Sequence, residues 1–110
     1  MTPEDHHVAT ELKIRLDRAA PRALRRLIVF GSRVREQATP ESDLDVVALV
    51  DELTTDLEQR LDDAAYALMW DLDFQPIISL KVFEENWFET ALHDGLPFCR
   101  NVAREGLVVI

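Results

Sequence analysis

One cysteine, Cys99, is all the chain carries, so no internal disulfide is available and the sequence suits a reducing, cytoplasmic setting. A lone thiol of this kind reads as a small buried apolar residue and not as a nucleophile. No apolar run approaches the roughly 18 residues that a membrane span requires, and the N-terminal stretch has no signal-like apolar segment, so neither membrane insertion nor export is expected. Basic residues are scarce: 12 Lys and Arg stand against 21 Asp and Glu, for a formal net charge of -9. That balance argues against direct nucleic-acid binding, which needs a basic face to displace counterions. It suits a chain that meets nucleotides through bound cations, or one that meets a basic protein partner. No repeat, low-complexity segment or interdomain linker interrupts the sequence. Residues 1–110 therefore read as a single domain, long enough to bury roughly two-thirds of its unfolded surface.

Along the chain, Thr2-Pro3-Glu4-Asp5 has the marks of a helix start: a hydroxyl cap, proline at the first position and acids in the first turn. Val8, Leu12, Leu16 and Ala19 then share one helical face, and Pro21 closes the segment. Arg26 to Phe30 is predicted as a first strand, Ser32 to about Glu36 as a short helix, and Asp43 to Val50 as a second strand, so apolar that it belongs in the middle of a sheet. Thr54 or Thr55 caps a long helix with Leu53, Leu57, Leu61, Ala64, Ala65 and Leu68 in one stripe. Asp73 to Val82 is predicted as a third strand bulged at Pro76, Phe83 to Leu92 as a helix, and Pro97 to Arg104 as a last short helix. Trp70, Phe83, Trp87 and Phe88 read as core. The apolar tail Leu107 to Ile110 is expected either to add an edge strand or to enter a partner interface. This order implies an α/β (α+β) fold, a small mixed sheet with helices packed on one face.

The chemistry lies between Ile28 and Val50. An apolar strand stops at Gly31-Ser32, where glycine permits torsions closed to other residues and lets a phosphate approach the main chain. Asp43 and Asp45 head the next strand. Two residues apart, they project from one face about 6.5–7 Å from each other at the backbone, and like charges so placed call for a cation between them. Hard oxygen ligands suit Mg2+ or Mn2+. A two-metal displacement at phosphorus asks for a third carboxylate. Asp73 is the preferred choice, and Asp71, of the same parity, competes with it. Arg33 and Arg35 flank the turn, either holding phosphate oxygens or serving as surface charges. Ser42 reads as a turn residue and completes, with Gly31, Ser32 and Arg33, the candidate nucleotide-binding set.

Gly31-Ser32-Arg33, ten residues from Ser32 to Asp43, then Ser42-Asp43-Leu44-Asp45 in an apolar strand resembles the minimal nucleotidyltransferases, the MNT branch of the DNA-polymerase-β-like superfamily. Asp73-Phe74-Gln75-Pro76 resembles the family's third-carboxylate strand, and Phe98 to Val102 with Glu105-Gly106 its C-terminal segment. The resemblance implies a polymerase-β-like nucleotidyltransferase fold and the antitoxin role of HEPN/MNT toxin–antitoxin pairs. In that role AMP passes from Mg·ATP to a tyrosine of a HEPN-type toxin within a hetero-oligomer. It further implies that Gly31 and Ser32 hold the triphosphate, that Asp43 and Asp45 bind both metals, and that Asp73 binds the catalytic metal and helps deprotonate the acceptor. Two rival readings accompany it: a non-catalytic antitoxin that acts by masking its toxin, and a small-molecule nucleotidyltransferase completed by a partner subunit.

Overall fold

The computed structural model describes residues 1–110. Helix α1 (Pro3–Ala19) begins with a reciprocal cap in which Thr2 Oγ1 accepts the Asp5 amide at 3.1 Å and the Asp5 carboxylate accepts the Thr2 amide at 3.2 Å. Strands β1 (Leu24–Phe30) and β2 (Leu44–Val50) follow, then helix α2 (Thr55–Asp71), capped by the Thr54 hydroxyl. Strand β3 (Ile78–Glu84), helices α3 (Glu85–His93) and α4 (Pro97–Glu105) and a short β4 (Leu107–Val108) complete the chain. The sheet order is β3-β2-β1-β4, with β2 parallel to β3 and antiparallel to β1, and β4 antiparallel to β1.

The mixed sheet is the expected one, but its covering differs from the one-face expectation. Side chains alternate along β2. Leu44, Val46, Ala48 and Val50 join Leu12 and Leu16 of α1 and Leu61 and Leu68 of α2 in the main core. Val47 and Leu49 face the other way and pack with Phe88 of α3 and Cys99 and Val102 of α4. A strand apolar on both sides needs cover on both sides, so helices lie on each face. Each fully buried leucine of the main core contributes roughly 1.5–3 kcal/mol. Burial among these groups raises the pKa of the Cys99 thiol, consistent with its reading as a core residue.

Three further boundaries depart from the sequence expectations. Residues 32–36 form a single turn and not a helix: the Val34 and Arg35 amides both donate to Gly31 O at 3.2 Å, and Glu36 then turns to positive φ. The third strand starts five residues later than Asp73, at Ile78. Residues 72–77 instead wrap the end of α2, where the Phe74 amide donates to Met69 O at 2.8 Å. The Phe74 ring lies edge-on to Tyr66 and Trp70, at centroid distances of 5.8 and 5.1 Å, so an apolar residue that resembles strand sequence closes a helix. Pro76, preceded by a cis peptide bond, lies ahead of the strand and forms no bulge in it. Phe83 belongs to β3, and α3 begins at Glu85. Of the four aromatic residues expected in the core only Phe88 is fully buried, while Trp70 and Trp87 are 61% and 47% exposed.

The apolar tail adds an edge strand through Leu107 and Val108, opposite Val29 and Ile28. Gly106 makes that docking possible, because a Cβ there would collide with Ile28 Cγ2 and the Val102 carbonyl. Gly106→Ala is therefore expected to destabilise the protein by about 1–3 kcal/mol, the usual range for forcing atoms into a packed site. Urea denaturation followed by circular dichroism measures this, and an unchanged midpoint would refute it.

Candidate active site

The antiparallel pairing of β1 and β2 sets Phe30 opposite Asp45. The next residue, Gly31, is buried and has φ +82°, a conformation that L side chains rarely adopt. Its missing side chain leaves room for the Asp45 carboxylate: a Cβ on Gly31 would strike Asp45 Oδ2 and lie 3.2 Å from Cγ. The glycine turn and the second acid of the Asp-x-Asp pair are thus in direct contact. Asp43 lies just outside β2 and is exposed, while Asp45 is half-buried. Burial pushes the Asp45 pKa up, the neighbouring Asp43 adds to the effect, and Lys81 and Arg35 oppose it.

A concavity of about 430 Å³ opens in front of this contact. Gly31, Ser32 and Asp45 form one wall, with Arg35 at the rim, and Phe98, Asn101 and Arg104 of α4 form the other. Arg35 reaches across to Glu105 at 3.3 Å. The α4 residues were not assigned from the sequence, although 98, 101 and 105 recur at helical spacing in the segment that carries the family resemblance. A second concavity of about 450 Å³ lies beside Met1, Asp5 and Pro40, and neither Asp43 nor Asp45 lines it.

Arg33 and Ser42 have internal roles in place of the expected contact with nucleotide. The Arg33 guanidinium pairs with Asp5 at 2.8 Å, with both side chains about nine-tenths buried at 11% and 7% exposure. It also donates to the Ser42 carbonyl at 2.6 and 3.2 Å. The Ser42 hydroxyl accepts the Thr39 amide at 3.0 Å. Asp5 is the one buried charged residue of the chain, and its partner Arg33 ties the α1 cap to both ends of the loop between Gly31 and Asp43.

The third acid is absent from the site. Asp73 sits exposed in the turn after α2 with φ +54°, and Asp71 ends α2 in an ion pair with Arg15 at 2.7 Å, so neither lines the cavity. On β3 the residue paired with Asp45 is Ser79, and the next of the same parity is Lys81. No group of three His, Cys, Asp or Glu side chains comes together as a metal cage anywhere in the chain. Two carboxylates at a strand head nevertheless fit Mg2+, which commonly takes one or two protein carboxylates and draws its remaining ligands from substrate phosphates and water.

Residues 10–108 match the family model described as nucleotidyltransferase domain. A Methanocaldococcus jannaschii protein, provisionally named a protein adenylyltransferase, is 34% identical over 92 residues, covering 81% of this chain and 85% of that protein. A crystal structure of a toxin–antitoxin with AMP-PNP superposes with a TM-score of 0.57 at 20% identity, covering 90% of this chain and 70% of that one. The last likeness concerns the fold.

Two outcomes follow from the contact between Gly31 and Asp45. Gly31→Ala should destabilise the protein by roughly 1–3 kcal/mol. That penalty should shrink in an Asp45→Ala background, leaving only the backbone component; equal penalties in both backgrounds would remove the contact as the cause. Asp45→Asn should raise the melting temperature of the ligand-free protein at pH 7, because the native state holds the charged carboxylate against burial and Asp43. The pKa is raised on folding, so wild-type stability is lost as pH rises from the ordinary aspartate value of about 3.9 through the folded value. The advantage of the Asn variant should therefore vanish at pH values below that window, as melting curves across pH would show.

Proposed function

We propose that this chain, which belongs to the nucleotidyltransferase domain family, transfers AMP from Mg·ATP to a hydroxyl of a protein partner, a tyrosine of a HEPN-type toxin, and so acts as an antitoxin. The observation that carries this reading is the seating of the glycine turn against Asp45, with Asp43 at the strand head and a cavity lined by Arg35, Asn101 and Arg104 in front. Gly31 and Ser32 present main chain and a hydroxyl to the triphosphate. Arg35 and Arg104 offer guanidinium groups to the departing pyrophosphate. Asp43 and Asp45 would hold the Mg2+, which when bound neutralises the phosphates and aligns the α-phosphorus for in-line attack. The acceptor oxygen bonds to the α-phosphorus as the bond to pyrophosphate breaks, releasing pyrophosphate and one proton.

A protein acceptor is supported by the exposure of Asp43 and by the net charge of -9, which suits a basic partner. The similarity to a protein named as a protein adenylyltransferase points the same way. One observation favours a second reading, in which the chain binds nucleotide and masks its toxin without transfer: β3 sets Ser79, not an acid, beside Asp45.

The two readings separate in one experiment with labelled ATP, Mg2+ and the candidate toxin. Transfer should label the toxin, and Asp43→Asn with Asp45→Asn should reduce labelling by about 10³-fold or more, on the scale of removing an essential electrostatic group. If the double variant still protects cells at matched expression and no label reaches the toxin in either case, masking is the mechanism.

A further inference from the structure

The parallel register of β2 and β3 sets two β3 side chains on the Asp45 face of the sheet near its open end. Ser79 is the Cα partner of Asp45, and Lys81 is the partner of Val47, the next residue of that face. From a strand separation near 4.8 Å and two residues of rise, the Lys81 Cα lies about 8 Å from that of Asp45. A lysine side chain spans most of that gap. Of the two lysines in the chain, Lys13 is paired with Asp17 at 3.0 Å, whereas Lys81 is exposed and joins no ion pair. The only unpaired ammonium side chain of a strongly acidic protein thus stands within side-chain reach of Asp45.

The strand order decides what it would meet. Asp45 is on the middle strand, the glycine turn is on the β1 side and Lys81 is on the β3 side. A triphosphate whose tail is held at Gly31 and Ser32 would reach across Asp45 and leave the concavity on its β3 side, with its α-phosphate toward Lys81. We propose that Lys81 binds the α-phosphate of the nucleotide, so that the site works with one divalent cation on Asp43 and Asp45 and an ammonium in place of a second cation. This rests on the nucleotide-transfer reading above.

The charge balance supports it. Three carboxylates with two divalent cations sum to plus one, and two carboxylates with one divalent cation and one ammonium sum to the same value. The transferring phosphate therefore meets the same net charge although β3 contributes no acid. A lysine on an edge strand also discourages strand-to-strand association. That role alone would alter self-association and leave nucleotide binding untouched.

The test is a count of bound Mn2+ by electron paramagnetic resonance, together with calorimetric affinity for a non-hydrolysable ATP analogue, so that neither readout requires turnover. One Mn2+ per chain is expected with the analogue bound. Lys81→Met should weaken analogue binding about 10–100-fold, the range for losing a charge-assisted hydrogen bond, while the chain stays folded with at most a small fall in melting temperature from the loss of a cation near Asp45, and Lys81→Arg should recover most of the affinity. Ser79→Asp, which sets a third acid beside Asp45, should raise the count to two. Two ions in the wild type, a Lys81→Met chain that binds as tightly as wild type, or a Ser79→Asp chain that still binds one ion would each overturn the proposal. If these binding results hold but no AMP reaches a protein acceptor, the transfer reading fails and the Lys81 assignment stands. If transfer occurs with two ions bound, the reverse is true.

Discussion

The site depends on one spatial constraint: Gly31 has no side chain, and the Asp45 carboxylate occupies the space a side chain would need. The constraint holds only in one register of β1 against β2, the one that sets Phe30 opposite Asp45. A slip of one residue would turn Asp45 toward α1 and α2, where Leu12, Leu16 and Leu68 are buried, and would turn Val46 toward the cavity. Because β2 is apolar on both faces, what opposes that slip is the cost of burying the Asp45 charge in the larger core. An apolar core at the centre of the sheet thus aims a carboxylate at its edge.

A second device holds the loop between turn and acids. The Arg33–Asp5 pair takes two charges out of water, which is costly unless their hydrogen-bonding capacity is met. Here it is met: Asp5 also accepts from the Thr2 amide, and Arg33 also donates to the Ser42 carbonyl. The helix cap, the turn after β1 and the residue before Asp43 become one unit. An arginine next to the glycine turn thereby organises the candidate site from behind.

The two faces of the sheet divide the labour. Helices α1 and α2 form the larger core and bury the strands on one side. On the other side α3 and α4 cover Ile28, Val47 and Leu49, while α4 also contributes Phe98, Asn101 and Arg104 to the cavity wall. Asp45 lies where that cover ends. Its raised pKa is the electrostatic consequence of leaving a charge at the rim of an apolar layer beside another acid.

Local chemistry in the sequence determined much of this. Thr2 and Thr54 cap helices because their hydroxyls satisfy free amides, β2 is central because it is apolar on both sides, and Gly31 with Asp43 and Asp45 marks the site through the fixed geometry of turn and strand. What lay beyond reach was everything set by long-range pairing. Asp73 resembled a strand acid because the apolar run around it is ambiguous over a few residues. Only the packing of Phe74 on Tyr66 and Trp70 shows that the chain is still finishing a helix there. Arg33 resembled a phosphate ligand because its partner Asp5 lies twenty-eight residues away. Ser79 and Lys81 were unremarked because parallel register is decided between strands and carries no mark within either. Spacing along one strand is encoded locally, whereas which strands lie side by side, and in what register, is settled only when the two cores pack.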